Sequence, residues 1–245
     1  MLSHVLGKEI LWLMAHDDEK IEIPQDFLDD IEQRKNSVPL EYILKLASFY
    51  SREFYVDARV LIPRPETELL VDHVLDWAQG REVLTIAEIG TGSGIISIML
   101  AHFLPHAHLI AVDLSNEALE VAKINAKKHG VSDNITFVHG NLLDCVREPI
   151  DILVSNPPYI QKDAILEKNL SYEPSLALFG GEEGDEILKK IIDIAQESKI
   201  DFLACEMGYD QRDKITNYLK TLNRKAIFYK DYADFDRGFL LEVES

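Results

Sequence analysis

Four consecutive residues, Asn156 to Tyr159, have the residue types best suited to chemistry in this sequence. They read Asn-Pro-Pro-Tyr and directly follow an apolar run that ends at Ser155. Two consecutive prolines restrict two φ angles and remove two N–H donors, so bare carbonyl oxygens point in set directions. The side-chain oxygen of Asn156 and the main-chain oxygen of Pro157 can together accept both hydrogens of a planar –NH2 group. We predict that this segment binds and orients such a group.

The nitrogen held in this way would itself be the reacting atom, because its lone pair stays free. An amide nitrogen is a poor nucleophile, so positioning and electrostatics must supply the rate. We predict a catalytic role for Asn156, Pro157 and Tyr159, and a substrate slot lined by the same three residues and Pro158. Tyr159 would cover the planar face of the substrate group. The structural alternative is a Pro-Pro turn that closes a strand, with Tyr159 filling the core.

A second candidate site is the run Gly90-Thr-Gly-Ser-Gly94, between an apolar strand and an apolar helix. Alternate glycines let the backbone approach a ligand closely, and free N–H groups at the helix start point toward it. The dinucleotide pattern Gly-x-Gly-x-x-Gly fits poorly, because position 95 is Ile. The spacing resembles the first motif of S-adenosylmethionine-dependent methyltransferases. That resemblance implies cofactor contacts from Gly90, Thr91, Gly92, Ser93 and Gly94, and a sulfonium that could lie near Tyr159. A purely structural tight turn is the alternative.

The next two strands end in further candidates for the same cofactor. Asp113 follows an apolar run about twenty residues beyond the glycines, where a carboxylate can accept both ribose hydroxyls. Its alternative role is a helix N-cap, although Ser115 is itself a competent cap. After the third strand, Asn141 and Leu142 should lie beside the adenine, with the Leu142 backbone as a candidate contact. Methyltransferases commonly carry Asp at the position of Asn141, whose carbonyl oxygen can still accept from the adenine amine.

Strands alternate with helices from Pro65 onward, as in βαβ units of a mostly parallel sheet. The pattern predicts an α/β fold with a seven-stranded, mostly parallel sheet and helices on both faces. The resemblance of the glycine turn to methyltransferases implies that this is a Rossmann-like class I methyltransferase sheet. The predicted strands lie near 84–89, 108–113, 135–138, 150–155, 200–206, 225–229 and 238–244. The predicted helices lie near 65–79, 94–104, 115–129, 185–198 and 210–222. The irregular stretch 157–184 is too long for a passive connection, so it should shape a site.

The first fifty residues have a helical pattern with few apolar side chains. One amphipathic helix is predicted by the spacing of Leu2, Val5, Leu6, Ile10 and Leu13, and a second begins near Pro24. This segment is too poor in apolar residues to fold alone, so it must dock on the rest of the chain or on a partner. The stretch 48–61, broken by Ser51-Arg52-Glu53, predicts a short hairpin. We therefore predict a helical N-terminal domain (1–38), a hairpin linker (39–64) and a methyltransferase domain (65–245).

Composition limits the classes of function. The formal net charge is −18, a field that repels phosphate backbones unless a local basic patch reverses it. Cys145 and Cys205 are too few for a zinc cluster or a disulfide framework, and they suit a reduced cytosolic setting. We expect no metal. The apolar run from Ile10 to Ala15 is too short for a membrane span, so a soluble cytoplasmic protein is predicted, with no membrane partner.

From about residue 38 onward, the chain resembles the release-factor glutamine methyltransferases, which methylate the glutamine of the Gly-Gly-Gln tripeptide in peptide chain release factors. Its most specific element is the heptapeptide Ile-Pro-Arg-Pro-Glu-Thr-Glu at 62–68, combined with Asn-Pro-Pro-Tyr. The other matching segments are 39–43, 90–94, 112–113 with 118–119, 172–174 with 177–178, 180–184, 206–208 with Gln211, and 236–237.

The resemblance implies that Gly90 to Gly94 and Asp113 bind S-adenosylmethionine, that Asn156 orients the accepting amide, and that a release factor is the protein partner. It does not decide the roles of Arg64 and Glu66. They could control access at the entrance of the site, or they could form an ion pair with each other. A structural role is expected for Glu173 and Glu206.

Adenine N6 and cytosine N4 present the same planar –NH2 as glutamine, so a DNA or RNA amino-methyltransferase is the enzymatic alternative. It would need a basic groove, which the net charge disfavours. A catalytically silent S-adenosylmethionine-binding scaffold is the third reading, and the intact Asn156 and Tyr159 argue against it.

Three features depart from the family pattern. Lys45 stands where the family usually has glycine, which could alter the bend into the hairpin. The helical N-terminal region, thought to hold the release factor, looks short. Asn141 replaces the common aspartate.

Overall fold

The computed structural model describes residues 1–81 and 84–242. Its helices are α1 (Leu2–Leu6), α2 (Ile10–Ala15), α3 (Gln25–Lys35), α4 (Leu40–Leu44), α5 (Thr67–Ala78), α6 (Ile95–Phe103), α7 (Asn116–His129), α8 (Ser175–Leu178), α9 (Glu186–Glu197) and α10 (Arg212–Thr221). Its strands are β1 (Ala47–Phe49), β2 (Arg52–Phe54), β3 (Thr85–Ile89), β4 (His108–Asp113), β5 (Ile135–His139), β6 (Ile152–Ser155), β7 (Ile160–Gln161), β8 (Phe179–Gly181), β9 (Phe202–Glu206), β10 (Ile227–Lys230) and β11 (Asp236–Glu242).

The N-terminal segment is helical, as predicted, but its first helix is interrupted. Gly7 adopts a left-handed conformation with φ 61° and ends α1, so the expected single helix is divided into α1 and α2. Glycine favours such a C-terminal cap because it has no Cβ to clash there. No residue of α1, α2 or α3 is buried. Among the described residues, no helix is both long and apolar enough to cross a membrane.

The predicted hairpin is present, but it turns earlier than expected. β1 and β2 pair antiparallel with Ala47 opposite Phe54, and the turn uses Tyr50 and Ser51, both at positive φ. Arg52 therefore lies within β2 rather than in the turn. Phe54 is fully buried in the main core beside the residues of α5 and α6. The segment predicted as a linker thus contributes core side chains to the sheet domain.

The main sheet has seven strands in the order β10-β11-β9-β6-β3-β4-β5. Strands β9, β6, β3, β4 and β5 run parallel, and β11 pairs antiparallel with both β9 and β10. Every predicted strand and helix of this domain is confirmed to within two residues at its described ends. Positions 243–244 of the last predicted strand lie outside the described residues.

Apolar side chains cover both faces of the sheet, as the predicted fold class requires. On one face α5 and α6 pack against it, and residues 95–101 of α6 are all buried. On the other face α9 and α10 contribute a second core around Ile191 and Ile215. Because the central strands are buried on both faces, their residues are mostly apolar rather than alternating, with Glu88 of β3 and Glu206 of β9 as buried exceptions.

The stretch 157–184 contains short elements that the sequence did not reveal. β7 and β8 form a small parallel pair, and a 3₁₀ turn at Leu170–Tyr172 precedes α8. Elements of two to four residues are too short to show a hydrophobic period. Gly180 lies where a Cβ would come within 2.5 Å of the main-chain oxygens of Pro158 and Gly184, so β8 packs directly on the Asn-Pro-Pro-Tyr segment.

Candidate active site

A cavity of about 410 Å³ opens at the carboxyl ends of β3, β4, β5 and β6. The chain proceeds from β3 to β4 and β5 on one side and then crosses to β6 on the other side of β3. Ligands of open α/β sheets bind at such a switch point. The predicted site residues that line it are Gly90, Gly92, Asp113, Asn141, Leu142, Asn156 and Pro158. Its volume lies in the range of sites for small ligands and cofactors.

The glycine turn presents only part of its length to this cavity. Gly90 and Gly92 line it, both at positive φ. Thr91 is buried and donates its hydroxyl to Glu88 at 2.8 Å, and Ser93 is buried as well. At Gly94 a Cβ would lie 3.1 Å from the Ala122 side chain. Thr91, Ser93 and Gly94 therefore shape the turn and pack it on the domain, and they do not line this cavity. Their predicted contacts with the cofactor stay a prediction.

The carboxylate of buried Glu88 stabilises the glycine turn through hydrogen bonds. Its carboxylate accepts the main-chain N–H of Ser97 at 3.0 Å as well as the hydroxyls of Thr91 and Ser97. Burial raises the pKa of Glu88 to about 7, although these three hydrogen bonds oppose the rise. The glycine turn is thereby tied to the start of α6.

Asp113 connects two turns at the cavity wall. Its Oδ2 accepts the Gly92 N–H at 2.8 Å, and its Oδ1 accepts the Ser115 N–H at 2.8 Å. Burial raises its pKa, while these backbone hydrogen bonds lower it. Each carboxylate oxygen keeps a lone pair for a further donor. The predicted helix cap is Ser115 itself, whose hydroxyl accepts the Ala118 N–H at 3.1 Å.

The turn after β5 places Leu142 in the left-handed region, with φ 53°, and Leu142 lines the cavity. The main-chain oxygen of Asn141 accepts the Asp144 N–H at 3.1 Å, so it is engaged within the turn. The side chain of Asn141 is exposed at the cavity edge. An apolar wall with a polar rim suits a flat heteroaromatic ring.

A second cavity of about 210 Å³ adjoins the first at Asn156. Pro157 and Tyr159 line it, and Asn156, Leu61 and Ala177 line both this cavity and the larger one. Asn156 therefore stands in the wall shared by the two cavities. This is the position from which one side chain can contact ligands on both sides.

The side-chain nitrogen of Asn156 is hydrogen-bonded within the protein. Its Nδ2 donates to the Thr67 hydroxyl at 3.1 Å, and Thr67 donates to the buried Glu206 carboxylate at 2.8 Å. Among the described residues, the side-chain oxygen of Asn156 has no donor. That oxygen is available to a ligand.

Tyr159 is mostly buried and lines only the smaller cavity. Burial raises the pKa of its hydroxyl to about 12, and the nearby Glu206 carboxylate adds to the rise. Its main-chain oxygen accepts a hydrogen bond from Nε2 of Gln211 at 3.1 Å. The same Nε2 donates to the main-chain oxygen of Gly184 at 2.9 Å. Tyr159 thus lines the smaller cavity and not the larger one, and its predicted roles toward the substrate and the sulfonium stay predictions.

Comparison with known proteins decides the family. Residues 65–171 match the family described as methyltransferase small domain. The release factor glutamine methyltransferase of Clostridium acetobutylicum is 33% identical over 98% of this chain and 88% of its own length. The protein of the same name from Chlorobaculum tepidum is 38% identical over 97% of this chain and 86% of its own length. This chain belongs to the release factor glutamine methyltransferase family.

Membership in the release factor glutamine methyltransferase family confirms the resemblance found in the motifs and identifies the chain as a methyltransferase. Among solved structures, the hMettl16 catalytic domain superposes with a TM-score of 0.65 and 16% identity, over 78% of this chain and 76% of that chain. At that identity the likeness shows the fold alone. The class I methyltransferase sheet predicted from the strand pattern is confirmed.

Two further segments of this member of the release factor glutamine methyltransferase family line its larger cavity. Residues 58–61 follow the hairpin, and residues 174–177 lie within the irregular stretch 157–184, which was predicted to shape a site. The second segment begins at the last residue of the Tyr-Glu-Pro motif at 172–174, which was a further signal. The first has no chemical signature, so nothing in its sequence pointed to the cavity.

Arg64 pairs with Glu173 rather than with Glu66, the partner considered from the sequence. Its Nη2 lies 2.5 Å from Oε1 of Glu173, and the other oxygen of Glu173 accepts the Ile62 N–H at 3.0 Å. The structural role expected for Glu173 agrees with this geometry, which joins residues 62–64 to the long stretch. Arg64 also lines the smaller cavity. Among the described residues there is no cluster of His, Cys, Asp and Glu that could hold a metal ion.

Proposed function

We propose that this protein transfers the methyl group of S-adenosylmethionine to the side-chain amide nitrogen, N5, of the glutamine in the Gly-Gly-Gln motif of a peptide chain release factor. One observation carries the proposal: the amide of Asn156 stands between two adjoining cavities with its oxygen free of protein donors. The name of the curated relatives supports this substrate class. A release factor substrate also implies a cytoplasmic location.

The larger cavity fits the cofactor. The Asp113 carboxylate is placed to accept the ribose hydroxyls, Leu142 offers an apolar surface to the adenine, and Gly90 leaves room for close backbone approach because nothing lies within 4 Å of its Cβ position. When bound, S-adenosylmethionine supplies an activated methyl group on a positively charged sulfur. Thr91, Ser93 and Gly94 would support this site through the shape of the turn.

The smaller cavity fits the accepting amide. The oxygen of Asn156 and the main-chain oxygen of Pro157 would take the two N–H hydrogens of the glutamine side chain, and Tyr159 would flank the group. Pro158, predicted for the same slot, lines the larger cavity instead. The nitrogen lone pair then faces the shared wall, toward the larger cavity. This arrangement lowers the barrier by orientation and by interaction with the charge that develops on nitrogen. The nitrogen becomes acidic once it carries the methyl group, so no dedicated base is required before attack.

The division of the chain at residues 38 and 64 stays a proposal, with the helical segment as the part that holds the release factor. Ile10, Leu11 and Met14 on this segment are between 66% and 78% exposed, which leaves apolar area for a partner. The net charge of −18 would favour encounter with a basic protein surface. The DNA or RNA amino-methyltransferase is not favoured, because the relatives that are 33–38% identical over nearly the whole chain are named for release factors.

Transfer of labelled methyl groups tests the proposal. The protein is incubated with labelled S-adenosylmethionine and, in separate reactions, a release factor, the same factor with Gln→Ala in its Gly-Gly-Gln motif, and duplex DNA or RNA. Label should appear on the intact release factor alone. Equal label on the Gln→Ala factor would refute glutamine as the acceptor, and label on nucleic acid would favour the alternative.

A further inference from the structure

Two buried residues of the family motifs form a hydrogen-bonded chain that ends at Asn156 and lies outside both cavities. Thr67 is the first residue of α5 and Glu206 is the last residue of β9, and each is only 1% exposed. They belong to the Ile-Pro-Arg-Pro-Glu-Thr-Glu and Glu-Met-Gly segments. The Thr67 hydroxyl lies between the Glu206 carboxylate, at 2.8 Å, and Nδ2 of Asn156, at 3.1 Å.

The direction of these hydrogen bonds determines which end of the Asn156 amide faces the slot. A threonine hydroxyl has one hydrogen, and an ionised carboxylate can only accept. The hydrogen of Thr67 is therefore committed to Glu206, and its oxygen can only accept from Asn156. The –NH2 end of Asn156 must then point at Thr67, so its oxygen points at the ligand.

If the hydrogen bonds from Glu206 through Thr67 to Asn156 ran in the opposite direction, Asn156 would present its –NH2 end to the substrate. A protonated Glu206 could donate to Thr67, whose hydrogen would then pass to the oxygen of Asn156. The amide would be turned by half a rotation, with its –NH2 toward the –NH2 of the substrate. Two donors facing each other cannot form a hydrogen bond.

We infer that Thr67 and Glu206 are positioning residues for methyl transfer, which act by holding the Asn156 side chain with its oxygen toward the accepting amide. This inference rests on the proposed function. It assigns a role to the threonine of the heptapeptide and gives Glu206 a role beyond the structural one expected from the sequence.

The surroundings of Glu206 make the ionised state sensitive to pH. Burial raises its pKa to about 7, while the Thr67 hydrogen bond and the charge of Arg237 lower it. The other titratable or charged groups around it are Arg64, Glu66, Tyr159, Cys205 and Tyr229. Arg237 itself pairs with Asp231 at 2.8 Å. Because the ionised form is the competent one, kcat should rise with pH through about 7 and be lost below it.

Three variants test the inference on the full chain with a release factor as substrate. Thr67→Val removes the hydroxyl at nearly constant volume and should lower kcat about tenfold or more, with KM and cofactor affinity within about twofold. Thr67→Ser should restore most of the activity. Glu206→Gln has no titratable group and should lose the limb of the pH profile near 7. Thr221→Val, which makes the same substitution at an exposed threonine at the end of α10, is the matched control and should leave kcat unchanged.

A measurement without substrate separates this inference from the proposed function. The side-chain NH2 resonance of Asn156, followed by NMR, should titrate with a midpoint near pH 7 in the wild type and show no such step in Glu206→Gln. Absence of methyl transfer by the wild type together with this titration would overturn only the proposed function. A wild-type kcat in Thr67→Val would overturn the positioning role. If Thr67→Val failed to fold, an unaltered pH profile and NMR titration in Glu206→Gln would overturn it instead.

Discussion

Arg64 and Glu173 form an ion pair with 2.5 Å between Nη2 and Oε1, although 109 residues separate them in the chain. The Glu173 side chain is only 2% exposed, and its two oxygens contact Arg64 and the Ile62 N–H. The pair joins the segment before α5 to the stretch that forms one wall of both cavities. It therefore couples the stability of the site to a single arginine.

Arg64→Ala should lower the free energy of unfolding by about 1–3 kcal/mol, because it leaves a buried carboxylate poorly paired. Amide hydrogen exchange should also increase within residues 161–173. Urea denaturation and hydrogen-exchange mass spectrometry measure the two effects. Lys162→Ala, which breaks an exposed pair with Glu182 in the same stretch, should have no measurable effect. Equal behaviour of the two variants would contradict a supporting role for Arg64.

Asn156→Ala should reduce turnover about a hundredfold or more while cofactor binding is retained. The variant lacks the oxygen that would hold one hydrogen of the accepting amide, and loss of one preorganised polar group commonly costs that much. Single-turnover transfer to a release factor and calorimetric titration of the cofactor measure the two quantities. Asn217→Ala, at an exposed position on α10, is the control. Turnover near the wild-type rate would refute the acceptor role.

Asp113→Ala should weaken cofactor affinity about tenfold or more, because it removes a carboxylate from the cavity wall and releases the Gly92 N–H that it accepts. Asp133→Ala, on an exposed 3₁₀ turn, should bind the cofactor normally. Burial raises the pKa of Asp113 above its ordinary value, so affinity should fall on acidification at a higher pH than for an exposed aspartate. Calorimetry at several pH values tests both points, and unchanged affinity in Asp113→Ala would move the ribose contact elsewhere.

Lys45→Gly should stabilise the protein by about 1 kcal/mol. Lys45 ends α4 in the left-handed region at φ 54°, where a side chain costs energy that glycine does not. Lysine thus adopts here a left-handed conformation that glycine adopts without strain. Lys45→Ala retains the Cβ and should give no such gain, and urea midpoints distinguish the two variants. A destabilised Lys45→Gly would show that the lysine side chain contributes more than the strain costs.

Gly180→Ala should lower the free energy of unfolding by about 1–3 kcal/mol, as expected when an extra methyl group is forced into close-packed backbone. Its Cβ would lie 2.5 Å from the main-chain oxygens of Pro158 and Gly184. Gly140→Ala is the control, because the nearest atoms to its Cβ position are 3.5 Å away on the Cys145 side chain. Chemical denaturation compares the two. Similar stability would mean that β8 does not pack on Pro158 as described.

The sequence by itself determined the architecture and the centre of the site. Strands β3, β4 and β6 are mostly apolar because both of their faces are buried, and that pattern is visible without any structure. Parallel strands end at one edge of a sheet, so the residues that follow them, Asp113 and Asn156, had to meet there. The local preferences of glycine and proline supplied the turns.

The tertiary structure alone decided which neighbours complete the site. Thr91 and Ser93 turn into the interior, while residues 58–61 and 174–177 line the cavity. Thr67 and Glu206, 139 positions apart, meet behind Asn156 because α5 packs against the sheet beside β9. Hydrophobic period and residue type describe only how a segment folds locally. Contacts between distant segments depend on how the helices and loops pack on the sheet, and no periodicity encodes that arrangement.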